Sequence, residues 1–293
     1  MRKRVRAVLG IEAPRGDAPA GRVLATIRKP GYRAEQFEFT SDREIRIPGW
    51  LLTPDGDQSA VAGGDKTTAS TPTVLYVGEA AASSSVAEDG FAERLCIAGG
   101  CRVATIDVRG RGDCAIAYPQ RGRFYFPNRI TNEAYLTWFT LILGRPIVGG
   151  QVYDTLRALD YLRSRPDAGG AVSLVGDGPH GVIALYAAAL DERVRGVALR
   201  RTVTDYGSLA TADRYTQPFD IYAYGLLREF DLPEVARAVG PRPVLLLDPS
   251  TPLGEPAGAA ARDLYKGVPN TSVQTAGDED AVQILATWIS AMT

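Results

Sequence analysis

The sequence predicts an α/β fold, with a predominantly parallel central sheet between two layers of helices and an antiparallel edge at its amino-terminal side. Three observations carry this. Short apolar runs alternate with helical segments from residue 73 onward, two earlier segments alternate in polarity, and one apolar run passes through a glycine-rich turn into a small-residue helix at 171–190. Continuous apolar runs belong to strands covered on both faces, whereas alternation belongs to strands with one wet face.

In chain order, residues 1–30 form a lead-in, irregular over 1–22. Gln36–Thr40 and Glu44–Thr53 alternate and predict an antiparallel hairpin. Residues 55–72 are rich in Gly, Ser, Thr and Asp and predict a surface loop. The parallel strands follow as Thr73–Val77, Arg102–Ile106, Ala171–Val175, Gly196–Leu199 and Pro243–Leu247. Helices are predicted over Ala87–Ala98, Gly149–Ser164, Val182–Leu190, Pro233–Val239, Ala257–Tyr265 and Asp280–Met292. Segment 115–148 is a lid-like insertion after the second parallel strand, rich in rings that include Tyr118, Tyr125, Tyr135 and Trp138. Ligands of doubly wound sheets bind near the carboxyl ends of the strands, so these rings serve either core packing or ligand stacking. The whole chain, 1–293, reads as one domain.

Composition excludes more than it selects. The 33 Lys and Arg residues nearly balance the 34 Asp and Glu, and the basic ones are scattered, so neither nucleic acid nor an anionic membrane is an expected partner. A neutral partner or small molecule fits better. Cys96, Cys101 and Cys114 are odd in number and lack paired ligand spacing, which speaks against a disulfide framework or a metal site. The basic start is not followed by an apolar stretch of signal-peptide length, no window reaches membrane-spanning length, and the compartment is not encoded. His180 is the only histidine, so a hydrolase of the Ser-His-Asp type finds its general base there or nowhere.

The most informative motif is Gly176-Asp177-Gly178-Pro179-His180-Gly181, an apolar strand turning sharply into a helix. That is the layout of a nucleophile elbow, and Gly178 stands where the serine is expected. The residue after the nucleophile normally gives a backbone N–H to the oxyanion hole, and Pro179 has none. Losing one such donor costs about 2.7–4 kcal/mol of transition-state stabilisation. An acid is expected after Pro243–Leu247, where Asp248 lies very close to the strand end and Glu255 lies late. A base is expected before the last helix, but Thr275-Ala-Gly-Asp-Glu-Asp contains no histidine. His180 itself falls in the first turn after the elbow and reads as structural rather than as a base. Gly78 and Glu79 occupy the loop expected to supply the second oxyanion donor. The ordinary triad is therefore expected to be absent, with Asp177, Gly178, Pro179 and His180 marking a former centre.

Beyond this turn, Asp107-Val-Arg-Gly-Arg-Gly-Asp resembles the Asp-x-Arg-Gly-x-Gly turn of prolyl-oligopeptidase-like and acetyl xylan esterase-like hydrolases. Gly31-Tyr-Arg-Ala-Glu, Leu52-Thr-Pro, the segment from Asp154 to Asp167, Ala189-Leu-Asp-Glu-Arg-Val and Gly240-Pro-Arg-Pro-Val-Leu-Leu extend the resemblance over residues 30–290. The resemblance implies the α/β-hydrolase fold, a three-layer sandwich, and deacetylation of plant polysaccharide or small acetyl esters by Ser, His and Asp. Positions 178, 248–255 and 275–280 depart from that pattern, so those roles do not transfer. The chain is similar to the degenerate second module that large relatives carry beside an active one. That implies a carbohydrate or small ester bound through Gly78, Glu79, Tyr118, Tyr125, Tyr135 and Trp138, or packing against an active esterase domain of the same or another chain, with no cofactor.

Two other readings compete. Gly176-x-Gly178-x-x-Gly181 also matches the dinucleotide fingerprint, and the next strand ends in Leu199-Arg200-Arg201, which favours the 2′-phosphate of NADP. The fingerprint belongs to a first βαβ unit, however, and two parallel strands precede this one. An active carbohydrate or small-ester hydrolase with a non-standard centre is the second rival, using Ser83, Ser84 or Ser85 after the first parallel strand, or Cys114. No histidine or lysine can be placed beside either from the sequence.

Overall fold

A central sheet organises the molecule, seen in a computed structural model that describes residues 1–12, 17–57, 71–78, 80–116, 132–165, 167 and 172–292. Its strands are β1 (Gly21–Lys29), β2 (Tyr32–Asp42), β3 (Ile45–Pro54), β4 (Thr73–Val77), β5 (Arg102–Ile106), β6 (Val172–Asp177), β7 (Val194–Arg200), β8 (Val244–Leu247) and β9 (Thr271–Gln274). The spatial order is β1-β2-β3-β5-β4-β6-β7-β8-β9. β2 pairs antiparallel with both β1 and β3, β3 joins β5 antiparallel, and every pairing from β5 to β9 is parallel.

Alternation within β4 explains the layers. Leu75 and Val77 point into one apolar core and Val74 and Tyr76 into the other, because successive strand side chains leave opposite faces. The larger core is closed by α1 (Arg2–Leu9), α5 (Ile147–Ser164), α6 (Gly181–Leu190) and α8 (Leu232–Val239), the smaller by α3 (Phe91–Gly99) and α10 (Asp278–Ser290). All of α6 is buried, which its run of Ala, Val, Ile and Leu permits. The remaining helices are α2 (Ala82–Ser85), α4 (Asn132–Ile142), α7 (Tyr206–Thr211) and α9 (Gly258–Leu264). Among the described residues, no helix is long and apolar enough to cross a membrane.

The expected hairpin and the five apolar strands are all present, and β4 and β5 have the expected ends. The lead-in is not irregular. It holds α1, whose Val5 and Leu9 enter the larger core, and then β1. The insertion contains α4, and its residues 117–131, with Tyr118 and Tyr125, lie outside the described residues.

Candidate functional site

Every parallel strand ends at the same edge of the sheet, and the turn after β6 lies at its middle. Gly176 and Gly181 are demanded by the close pass of strand and helix: a Cβ on Gly176 would lie 2.6 Å from Gly181 Cα, and one on Gly181 would overlap Thr202 Oγ1. Gly178 has φ +67, in the left-handed region that side chains avoid. It opens a one-turn 3₁₀ helix, Gly178–His180, and its carbonyl accepts from Thr202 Oγ1 at 3.0 Å. The three glycines of the dinucleotide fingerprint thus each have a packing or backbone reason.

Asp177 is buried and saturated. Its carboxylate accepts from Tyr76 Oη at 2.8 Å, from Arg200 Nη1 at 2.7 Å, and from Arg201 Nε and Nη2 at 3.0 Å each. Arg200 also donates to Asp278, in the first turn of α10, and its guanidinium stacks 4.5 Å over the Phe91 ring. Burial and the neighbouring Asp177 push the Tyr76 hydroxyl well above its ordinary range, so it donates. Burial lowers the Arg201 pKa, but its contact with Asp177 more than reverses that. Both arginines that an NADP phosphate would need are therefore committed to Asp177, which corrects the dinucleotide reading of Leu199-Arg200-Arg201.

His180 is 1% exposed and belongs to a second cluster. Its Nε2 contacts Arg111 and lies 3.3 Å from both Asp220 oxygens, while Nδ1 has no hydrogen-bond partner among the described residues. Arg111 donates to Asp220 at 2.8 and 3.1 Å and to Glu133 at 2.8 Å, and Gln151 donates to Asp220 at 3.0 Å. Burial opposes ionisation of Asp220, yet His180, Arg111 and Gln151 together hold its carboxyl well below the usual range. His180 Nε2 is thus held between the Arg111 guanidinium and the Asp220 carboxylate. The cluster ties the turn after β6 to α4, α5 and the 3₁₀ turn Phe219–Ile221.

The remaining candidates are placed apart from one another. Asp248 Oδ1 accepts from the Ala276 backbone at 2.5 Å, so it holds the loop before α10 in shape, and Glu255 is exposed. Gly78 packs against the Tyr76 ring, and Glu79 lies outside the described residues. Ser83 and Ser84 are exposed on α2, while buried Ser85 donates back to Ala81. Burial and the carboxylates Asp107, Asp154 and Asp113 push the Cys114 thiol up to about 12. Trp138 is 45% exposed and meets Tyr135 edge to face, centroids 6.0 Å apart. Asp107 accepts from the Ala82 and Asp113 amides, and Arg109 forms a two-point pair with Asp154, which makes the Arg-Gly turn structural. Among the described residues no group of three or more His, Cys, Asp or Glu could hold a metal ion.

Similarity to known proteins follows the topology. A Bacteroides fragilis protein assigned to the acetyl xylan esterases superposes with a TM-score of 0.69 at 15% identity, over 95% of this chain and 75% of its own. An acetyl xylan esterase from Paenibacillus sp. R4 gives 0.64 at 18%, and a glucuronoyl esterase from Solibacter usitatus 0.64 at 14%, each over 99% of this chain and 92% of its own. The fold is that of the α/β-hydrolases. In sequence, the chain is 30% identical over 169 residues, 51% of its length, to YtaP of Bacillus subtilis, a protein that its name places among the hydrolases. That match spans 56% of the relative's length. No family model matches the chain.

Sequence reading missed Arg111, Asp220, Arg200 and Asp278 as members of these clusters. The pairs are 109, 40 and 78 residues apart in sequence, so no local spacing joins them. The one available signal was that a lone histidine in a buried turn needs a polar partner.

Proposed function

We propose that this α/β-hydrolase-fold module has given up acyl-enzyme chemistry and that it binds a carbohydrate or small ester, or supports an active esterase domain of the same or another chain, without cleaving a substrate itself. The observation that carries this reading is Gly178, at φ +67 in the turn between β6 and α6, with no side chain to attack a carbonyl. Three further features support it. Pro179 brings no oxyanion donor, the only histidine faces Arg111 and Asp220, and the start of α10 presents Asp278 to Arg200. The neighbours' names as acetyl xylan and glucuronoyl esterases make an esterified sugar the ligand class to test first. The exposed face of Trp138 beside Tyr135 is available for sugar stacking.

A centre at Ser83–Ser85 or Cys114 gains no support from the geometry: Ser85 bonds its own helix, and Cys114 is held as a thiol. The test is hydrolysis of p-nitrophenyl acetate and of acetylated xylan by the purified chain beside a blank without protein. A rate equal to the blank is the expected result. A rate well above it overturns the reading.

A further inference from the structure

We infer that a groove walled by Tyr206, Tyr215, Tyr222 and Tyr224, with Lys3 and Arg228 at its far end, is a binding site for a six-membered ring that carries a carboxylate. None of its walls belongs to the Asp177 or His180 clusters, so the inference stands whether or not the elbow is catalytic.

The groove is made of two cavities with a shared wall. One, of about 550 Å³, is tyrosine-walled with an apolar floor that includes Leu209 and Leu226. The other, of about 460 Å³, lies against α1 and includes Lys3 and Arg4. Tyr224, Gly225 and Arg228 line both, and volumes of this order suit small molecules. Gly225, at φ +73, makes the turn that holds Tyr224 out into the groove, 82% exposed. Tyr222 meets Tyr206 and Tyr215 edge to face, at 6.0 and 6.2 Å; Tyr206 is buried as backing, and Tyr215 and Tyr224 present the accessible rings to a flat or chair-shaped partner.

One observation points to a ligand rather than to plain surface. At the other end three cations, Lys3, Arg4 and Arg228, face one acid, Glu229. Arg4 donates to the Glu229 carbonyl at 2.9 Å, while the Lys3 and Arg228 side chains make no hydrogen bond or ion pair with a described residue. The walls are preformed: Tyr206 Oη donates to the Ile221 carbonyl at 2.6 Å, and the Tyr206 and Gly207 amides donate to Asp231, the cap of α8. A ring on the tyrosines with its carboxylate toward Lys3 and Arg228 satisfies both ends.

That chemistry has two sources, a uronic acid sugar and an aryl carboxylic acid. Calorimetric titration of the full chain with glucuronate, glucose, benzoate and benzyl alcohol separates them. One acid is expected to bind at millimolar concentration or better, with its neutral analogue about fivefold weaker, in line with an exposed ion pair. Binding should weaken with added salt. Tyr224→Ala and Arg228→Glu, both at exposed positions and checked for native circular dichroism, should each weaken the acid by a similar factor. Which acid binds identifies the source. No binding by either acid, equal binding of acid and neutral analogue, or no effect of Arg228→Glu overturns the inference.

Discussion

Arg200 donates to the Asp177 carboxylate at 2.7 Å and, from its other terminal nitrogen, to Asp278, joining the residue before Gly178 to the first turn of α10. Both Arg200 and Asp177 are 3% exposed. An ion pair this deep is stabilising only because hydrogen bonds from Tyr76 and Arg201 complete it.

Arg200→Ala leaves the buried Asp177 carboxylate with only the half-exposed Arg201 as a cation and is expected to cost up to about 3 kcal/mol of stability. Thermal and urea unfolding measure it. Asp177→Asn combined with Arg200→Ala should recover part of the loss, because the orphaned charge goes with its partner. A midpoint unchanged in Arg200→Ala would show that the bridge carries no stability.

Asp220 sets the acid limb of stability. Its folded pKa lies below the ordinary value, because His180, Arg111 and Gln151 outweigh burial. Its contribution is thus fully present above the unfolded carboxylate pKa of about 3.9 and is lost as pH falls toward the folded value. Asp220→Asn should lower stability near neutrality and flatten its decline in acid, read from urea midpoints across pH. A parallel downward shift at every pH would contradict this assignment.

The cysteines should behave as core residues. Burial pushes Cys101 up to about 12 and raises Cys96, while burial and nearby carboxylates bring Cys114 to about 12. At pH 8 a thiol of that pKa is ionised to roughly one part in ten thousand. Iodoacetamide should leave the native chain unmodified and alkylate three sites in urea. Rapid labelling of Cys114 in the native chain would reopen a thiol-centred reading.

What the sequence disclosed followed from pattern strength. β4 and β5 are buried at every position, so their apolar runs begin and end with the strands. β1 has eight consecutive exposed residues, and β9 is four residues alternating between half-buried and exposed, so neither has a run to read. In α1 the buried Val5 and Leu9 are set among Arg2, Lys3, Arg4 and Arg6, which hides a core helix inside a basic lead-in. At the site, residues 176–181 were legible because strand, glycine turn and helix are contiguous. His180–Asp220 and Arg200–Asp278 were not, since only tertiary packing brings them together.

The central claim, that no residue here forms an acyl-enzyme, is tested most directly by intact-mass analysis after treatment with a fluorophosphonate, which labels activated serines. The untreated mass should persist in the native chain and also in Gly178→Ser, where Pro179 and the engaged His180 leave the new hydroxyl unactivated. A stoichiometric adduct on the native chain would contradict the account and locate the centre it denies.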